Sequence, residues 1–368
     1  MSDPIWQFSL HTVHALVWFG ALLVFMYVCV RAISLRPLIY ATTFVTLCLV
    51  GLGAYVRLTD AGLGCPDWPG CYGHLTPFHA EAEISGAEKV SPAGPVSAPK
   101  AWKEMVHRYV ASMVGAMIVA ILLKILYGRG HARRDREEPD LSLGLPLLLL
   151  AVVVLQGLFG KWTVTLLLKP AIVTLHLLGG MVILALLAWL SARHLRLHGA
   201  ARPAEARALR PWALLGLVLV FGQIALGGWV STNYAALACI DFPMCHGKWL
   251  PDMDFVHGFQ IHRELGMTAA GAPLSNDALN AIHWSHRLGA LVLVLYLGAM
   301  AFVSARMSGL RGYALAIGAA LVVQVGLGIT NVLAMLPITV AVAHNVGAAL
   351  LMVSVVMLNF ALYQESAR

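Results

Sequence analysis

Nine long apolar runs constrain this chain more than any other feature. Each is close to the ~20 helical residues needed to cross a ~30 Å hydrocarbon core. Only 12% of the 368 residues are charged and 59% are hydrophobic, whereas about 25% charged residues is usual in soluble domains. The sequence therefore predicts an all-α, polytopic membrane protein. The runs occupy residues 13–30, 38–57, 105–127, 143–161, 170–192, 211–230, 284–304, 311–331 and 337–361.

Arginine is concentrated in alternate connections between these runs, at residues 31–37, 128–142, 193–210 and 305–311. Because basic residues are retained on the cytoplasmic side, we expect these connections and the C-terminus to lie inside and the two cysteine-containing loops to be external, or periplasmic. The leader Met1-Ser2-Asp3-Pro4 has no positive region of the signal-peptide kind and no arginine-rich transit-peptide pattern, which favours a bacterial plasma (inner) membrane. The net charge of +7 is then explained by topology and membrane lipid, and nucleic-acid binding is not predicted.

The chain contains an internal duplication. It predicts two tandem four-helix bundles related by a pseudo-twofold axis along the membrane normal, plus one extra N-terminal transmembrane helix. The predicted segments are residues 1–36, 37–200 and 201–368. Matching residues keep nearly constant separations: 174 for Cys65/Cys239 and Cys71/Cys245, 179 for His107/His286, and 168 for Gln156/Gln324 and His176/His344.

Four histidines stand near the predicted outer ends of apolar runs: His107, His176, His286 and His344. Ionisable side chains inside a membrane are functional candidates by default. One imidazole from each of two facing helices is the arrangement that ligates a haem iron from both sides. A closed zinc site would need four converging ligands, and a copper or di-metal site is left open.

The two copies differ three residues before the first histidine of each pair, where one has Glu104 and the other His283. A carboxylate beside a haem pocket can accept a proton or stabilise a developing cation, so we predict that one half carries out a reaction and the other binds a cofactor. The alternative is that Glu104 caps its helix.

Arginine follows the ligand candidate in both copies. Arg108 and Arg287 are predicted to contact haem propionates, with interfacial snorkelling as the alternative. Glycines such as Gly53, Gly227 and Gly328 permit either close helix packing or a flat ligand against the backbone.

Two cysteine pairs with the same spacing, Cys65/Cys71 and Cys239/Cys245, occupy the predicted external loops. Because disulfides persist outside the cytoplasm, we predict that both pairs are oxidised. A structural staple and a redox-active or haem-transferring pair both remain open.

Together, residues 62–69 (Gly-Leu-Gly-Cys-Pro-Asp-Trp-Pro), the motif Glu104-x-x-His107-Arg108, and the later His176, His286-Arg287 and His344 resemble the haem A synthase family. The resemblance covers roughly residues 38–362. It implies an eight-helix core of two four-helix halves.

The activity implied by the resemblance is that of a haem-dependent oxidoreductase acting on a CH or CH2 group. It oxidises the C8 methyl group of haem O to a formyl group by two successive hydroxylations, giving haem A for cytochrome oxidase. The resemblance implies that His286 and His344 hold a haem b cofactor, whose iron they ligate, and that His107, His176 and Glu104 receive the substrate haem O. The extra N-terminal helix departs from the family pattern.

The expected partners are membrane lipid and haem O, with haem O synthase and cytochrome oxidase assembly factors as further candidates and homo-oligomerisation left open. Two other functions fit parts of the pattern. A dihaem b electron-transfer cytochrome would need the four histidines but not Glu104. A quinone-linked thiol oxidoreductase would place its chemistry in Cys65 and Cys71 and need no haem.

Overall fold

A computed structural model of the chain describes residues 16, 20–131, 143–195 and 203–364. The regular secondary structure of these residues is helical, joined by turns and loops with isolated bridges and no strands, so the all-α prediction is confirmed. The α-helices are α1 (Gly20–Arg31), α2 (Leu35–Leu58), α3 (Glu81–Val90), α4 (Ala98–His131), α5 (Gly144–Thr165), α6 (Pro170–Leu195), α7 (Pro203–Thr232), α8 (Phe255–Gly258), α9 (Asn276–Ala305), α10 (Arg311–Leu333) and α11 (Ile338–Gln364), and a 3-10 turn covers Ala235–Leu237.

Within the described ranges, eight helices are long and apolar enough to span a membrane: α2, α4, α5, α6, α7, α9, α10 and α11. The chain is therefore a multi-pass membrane protein, as predicted. The first predicted span, residues 13–30, is described only in part. Its described end forms the short helix α1, joined to α4 by a 2.6 Å hydrogen bond from Lys124 Nζ to the carbonyl of Val30. The rest of that span, Leu16 apart, lies outside the described residues.

Two helices begin earlier than their apolar runs. Helix α4 begins at Ala98 instead of residue 105, and α9 begins at Asn276 instead of residue 284. The added turns are polar and are missed by a hydropathy criterion, although polar residues form helix readily at a membrane boundary. At α9 the Ser275 side chain accepts a hydrogen bond from the amide of Ala278 at 3.2 Å, which supplies a helix N-cap.

The chain divides into two compact units, Met1–Leu166 and Leu167–Arg368. In the first unit, α4 packs against α2, α3 and α5. In the second, α7 and α10 each pack against both α9 and α11, and α6 packs against α7 and α11. The division comes before α6, whereas the duplication places α6 in the first half. The arrangement as two tandem four-helix halves stays a prediction.

Both predicted disulfides are confirmed, with S–S distances of 2.08 Å for Cys65–Cys71 and 2.01 Å for Cys239–Cys245. All four cysteines are fully buried. The first disulfide packs in an apolar cluster with Ile84 of α3.

The two disulfide loops close with the same turn. In the first, Asp67 accepts hydrogen bonds from the amides of Tyr72 (2.6 Å) and Gly73 (2.7 Å), and both of these residues have positive φ. Two successive residues with positive φ are typical of the tight turn that joins antiparallel segments. An isolated bridge between Cys71 and His74 flanks the turn.

The second loop repeats each of these contacts. Asp241 accepts from the amides of His246 and Gly247, both at 2.8 Å, and these two residues again have positive φ. The bridge here joins Cys245 and Lys248. Hydrogen bonds from the amides of Gly247 and then His246 lower the pKa of the Asp241 carboxyl below its ordinary value. The duplication therefore extends to the hydrogen bonds of the loops.

Candidate functional site

Two of the four candidate histidines come together in the second unit. His286 lies ten residues after the start of α9, and His344 lies six residues after the start of α11. These two helices are bridged by α7 and α10, each of which packs against both. The structure therefore places the two histidines on two helices of one four-helix arrangement.

A glycine of a neighbouring helix lies against each of these rings. A Cβ atom added to Gly227 of α7 would lie 3.1 Å from Cε1 of His286, and one added to Gly328 of α10 would lie 3.1 Å from Cε1 of His344. Such contacts are tighter than most packing contacts. A larger residue at either glycine would require the imidazole to move by a few tenths of an ångström, so the two glycines let each ring lie close to the neighbouring helix.

The donor set fits a planar metal macrocycle better than a closed metal site. No group of three His, Cys, Asp or Glu side chains converges anywhere in the part of the chain that the structure describes. Two opposed imidazoles are the donors that hold a haem iron axially, whereas structural zinc needs four ligands. His344 Nδ1 is buried without a hydrogen-bond partner among the described residues, which leaves it available to a bound group.

Glutamines contact both histidines and were not identified as site residues from the sequence. Gln223 of α7 donates from Nε2 to the carbonyl of His286 at 2.9 Å, and the same nitrogen lies 3.0 Å from the ring Nδ1. Gln324 of α10 donates to the carbonyl of His344 at 2.9 Å, with Nε2 3.4 Å from a ring nitrogen. The spacing Gln-x-x-x-Gly, shared by α7 and α10, is the signal that could have identified them.

The other two candidate histidines lie in different units. His107 is on α4 of the first unit, where a Cβ added to Gly53 of α2 would lie 3.2 Å from its Nε2. His176 is on α6, in the second unit. The glycine contact seen at His286 and His344 is thus repeated at His107. The pairing of His107 with His176 remains a prediction.

Glu104 is buried, with 5% of its surface exposed. Its Oε2 accepts a hydrogen bond from the amide of Cys65 at 2.8 Å, and its Oε1 accepts from Nη2 of Arg108 at 2.5 Å. Because α4 begins at Ala98, Glu104 lies beyond the first turn and does not cap the helix. Instead, its carboxylate ties the first disulfide loop to the histidine-bearing helix.

Arg108 completes this attachment. Its Nη1 donates to the carbonyls of Asp67 at 2.9 Å and Gly70 at 2.5 Å. The guanidinium therefore joins the loop backbone to the Glu104 carboxylate in one buried network. A guanidinium has several donors in a fixed plane, which suits it to this role.

The second unit repeats the attachment with different chemistry. His283 occupies the position of Glu104, and its Nδ1 accepts from the amide of Cys239 at 3.4 Å. Arg287 donates to the carbonyls of Met244 (2.8 Å) and Cys239 (2.9 Å). In both units, then, the residue three before the ligand candidate accepts from the first cysteine's amide, and the arginine after it binds loop carbonyls.

Eight membrane-length helices among the described residues, with two partly buried histidines that each lie against a glycine of a neighbouring helix, define the class as a multi-pass membrane protein. Comparison with known proteins narrows this class. The cytochrome oxidase assembly protein family matches residues 36–356, which is most of the chain. The chain belongs to this family, whose curated members similar to it are named heme A synthase.

Three of these relatives show the extent of the similarity. The heme A synthase of Shewanella oneidensis is 39% identical over 337 residues, covering 91% of this chain and 98% of the relative. That of a Methylobacterium species is 30% identical, covering 87% and 89%. That of Caulobacter vibrioides is 28% identical, covering 83% and 89%. The resemblance inferred from the motifs is thereby confirmed, and the chain is assigned to a family of enzymes.

Proposed function

We propose that this protein is an oxidoreductase that converts haem O to haem A by oxidising the C8 methyl group in two successive hydroxylations to a gem-diol, which loses water to give the formyl group. The product serves cytochrome oxidase. The observation that carries the proposal is the placement of His286 and His344 in one four-helix arrangement, each against a glycine of a neighbouring helix, in a chain whose relatives are named heme A synthase.

The second unit binds the cofactor. His286 and His344 hold the iron of a haem b, and the adjacent glycines leave room for the rings at that depth. When bound, this haem b supplies one-electron transfer. Arg287 is the residue that contacts a propionate, because its Nε has no hydrogen-bond partner among the described residues and its charge is not neutralised by a glutamate at position 283.

The substrate site uses His107 and His176 as ligands to the iron of haem O and Glu104 as the acid–base group. A carboxylate has about four acceptor positions, and the Cys65 amide and Arg108 occupy two. Glu104 therefore keeps acceptor capacity for a proton released at the substrate methyl group. Arg108 orients this carboxylate and, as a second role, contacts a substrate propionate.

The arginine distribution supports the proposed sidedness, with both disulfide loops on the outer face of a bacterial plasma membrane and the C-terminus in the cytoplasm. In this arrangement the disulfides form in an oxidising compartment. Haem O is delivered within the bilayer, directly from haem O synthase in our proposal.

The test of the catalytic role is Glu104→Gln. This change keeps the side-chain size and an acceptor oxygen for the Cys65 amide but removes the charge. We expect a folded protein that retains haem b and accumulates haem O or the singly hydroxylated alcohol, with at least a tenfold decrease in haem A, which corresponds to about 1.4 kcal/mol of transition-state stabilisation. Pigments are extracted from membranes and separated by chromatography.

The matched control is Glu83→Gln, which makes the same chemical change at an exposed glutamate on α3 of the same unit. Its haem A output should equal that of the unmodified protein. Near-normal haem A from a folded Glu104→Gln protein would leave Glu104 as a loop anchor only.

The pigment of the purified protein tests the whole assignment. We expect one firmly bound haem b and a second haem, O or A, that exchanges. Two permanently bound b haems would indicate an electron-transfer cytochrome instead, and a colourless protein would indicate a thiol enzyme.

A further inference from the structure

The glutamine contacts in the second unit need a second glycine on each histidine-bearing helix. A Cβ atom on Gly289, three residues after His286, would overlap Oε1 of Gln223, and one on Gly347, three residues after His344, would overlap Oε1 of Gln324. The side chain of each glutamine thus lies across the helix that carries the histidine. We call this arrangement, Gln-x-x-x-Gly on one helix facing His-x-x-Gly on the next, the glutamine clamp.

The sequence repeats the clamp pattern in three of four helix pairs. Helices α5 and α6 keep the spacing with Gln156, Gly160, His176 and Gly179. Helices α2 and α4 keep Gly53 and His107 but have Leu49 at the glutamine position and Val110 at the second glycine position. Leu49 stands 174 residues before Gln223, and Val110 stands 179 before Gly289, the same separations as the cysteines and histidines of the duplication.

The two replacements are mutually consistent. A glutamine side chain at position 49 would overlap the β-carbon of Val110, just as Gln223 would overlap a β-carbon added at Gly289. A leucine has no amide to donate to the His107 carbonyl. The α2–α4 pair has therefore lost both halves of the clamp together.

We propose that Gln223 and Gln324 are positioning residues for His286 and His344, and that His107, whose helix pair has no clamp, is the ligand through which the bound haem is exchanged. This inference rests on the proposed function. A cofactor haem must stay in place during many turnovers, whereas a substrate haem must enter and its product must leave. A firmly clamped pair and an incompletely clamped pair meet these two requirements.

The clamp acts on a ligand in two ways. The amide N–H bonded to the histidine carbonyl fixes the register of the two helices at the ligand. The carboxamide oxygens of Gln223 and Gln324 are buried without hydrogen-bond partners among the described residues. A metal-bound imidazole donates its second N–H to a neighbouring acceptor, which fixes ring orientation and raises ligand basicity, and a carboxamide can turn to present either its oxygen or its nitrogen.

The first test exchanges the clamp for an apolar side chain of similar length, in Gln223→Met and Gln324→Met of the full-length purified protein. We expect haem b to remain bound but to transfer to apomyoglobin about tenfold faster, the effect of losing one buried hydrogen bond. The low-spin electron paramagnetic resonance signal should also shift, a change that a purely structural role would not cause. Gln156→Met, the same exchange in the first unit, should leave the haem b signal and transfer rate unchanged.

The second test installs the missing clamp with the double variant Leu49→Gln/Val110→Gly, with Val110→Gly alone as the control. We expect the double variant to release haem O to apomyoglobin about tenfold more slowly than the control. Equal release rates would contradict the assignment of His107 as the exchanging ligand. If the double variant does not fold, the replacement pair of the first unit is installed at the cofactor site with Gln223→Leu/Gly289→Val, where faster loss of haem b than from the unmodified protein supports the inference and equal loss contradicts it.

The outcomes separate this inference from the proposed function. If the unmodified protein contains no haem b with two histidine ligands, the proposed function fails. If that haem is present and neither Gln223→Met nor Gln324→Met changes its transfer rate or signal, only the clamp is refuted.

Discussion

The attachment of the first disulfide loop to α4 and that of the second loop to α9 have the same geometry but different charge. Glu104 accepts from the Cys65 amide and forms an ion pair with Arg108, whereas His283 accepts from the Cys239 amide beside Arg287. The charge of Arg108 is therefore neutralised by the carboxylate one turn before it, whereas the matching position before Arg287 carries an imidazole.

This difference shows how a duplicated scaffold can acquire two roles without changing its fold. Both copies keep the contacts that position the loop. In each, a side chain accepts a hydrogen bond from the amide of the first cysteine, and an arginine donates to carbonyls of the loop. Only the acid–base character of the acceptor differs. A carboxylate can take up a proton and release it again without a change in the scaffold, and its arginine partner keeps it oriented.

The largest expected effect separates the two histidine pairs. His286→Ala and His344→Ala should each abolish the low-spin haem b spectrum, because each removes one of the two imidazoles that would hold the iron. His107→Ala should leave that spectrum intact and abolish haem A formation. Reduced-minus-oxidised spectra of the purified variants measure the bound haem b. An unchanged haem b spectrum in both His286→Ala and His344→Ala would show that other residues hold the cofactor.

The second prediction compares the two disulfides. Cys65→Ser and Cys239→Ser should each destabilise the protein by about 2 kcal/mol, the cost typical of losing a short-loop disulfide. We expect the larger loss for Cys65→Ser, because its disulfide packs in the cluster that includes Ile84 and Met105. Thermal unfolding in detergent ranks the stabilities of the two variants and the unmodified protein. Equal stability of both variants and the unmodified protein would show that neither disulfide is a staple.

The smallest expected effect is a change in amide hydrogen exchange in the second disulfide loop at acid pH. The pKa of Asp241 is lowered by the amides of Gly247 and His246, so its folded-state pKa lies below the unfolded value of about 3.9. The stabilisation it gives is complete above that value and is lost as pH falls through the lowered pKa. We expect faster hydrogen exchange at these two amides below about pH 4.

The control for this prediction is Asp241→Asn, which keeps an acceptor oxygen but cannot titrate. Exchange at the amides of His246 and Gly247, followed by mass spectrometry and corrected for the intrinsic pH dependence, should then show no transition in acid. A transition of the same size in the variant would assign the effect to another group.

Much of the architecture could be predicted from the sequence because the membrane imposes it. A helix that crosses a hydrocarbon core must be apolar over a set length, so eight spans were predicted correctly, with boundaries missed where polar turns begin α4 and α9. The disulfides were predictable because their spacing recurs 174 residues later. Gln223 and Gln324 were not identified as site residues, although Gln324 belongs to the repeat, because the contact of each with a histidine joins two different helices.

The sequence by itself determined the membrane class, the duplication, the disulfides and the family, since these depend on apolar length, on residue spacing and on motifs within short segments. Only the tertiary structure decided what Glu104 and Arg108 contact, because their partners, Cys65 and Asp67, are about 40 residues away in the chain. It likewise decided that Gly227 and Gln223 lie against His286 on another helix. Such contacts depend on how two helices pack against each other, which the hydrophobic periodicity of a single helix does not specify.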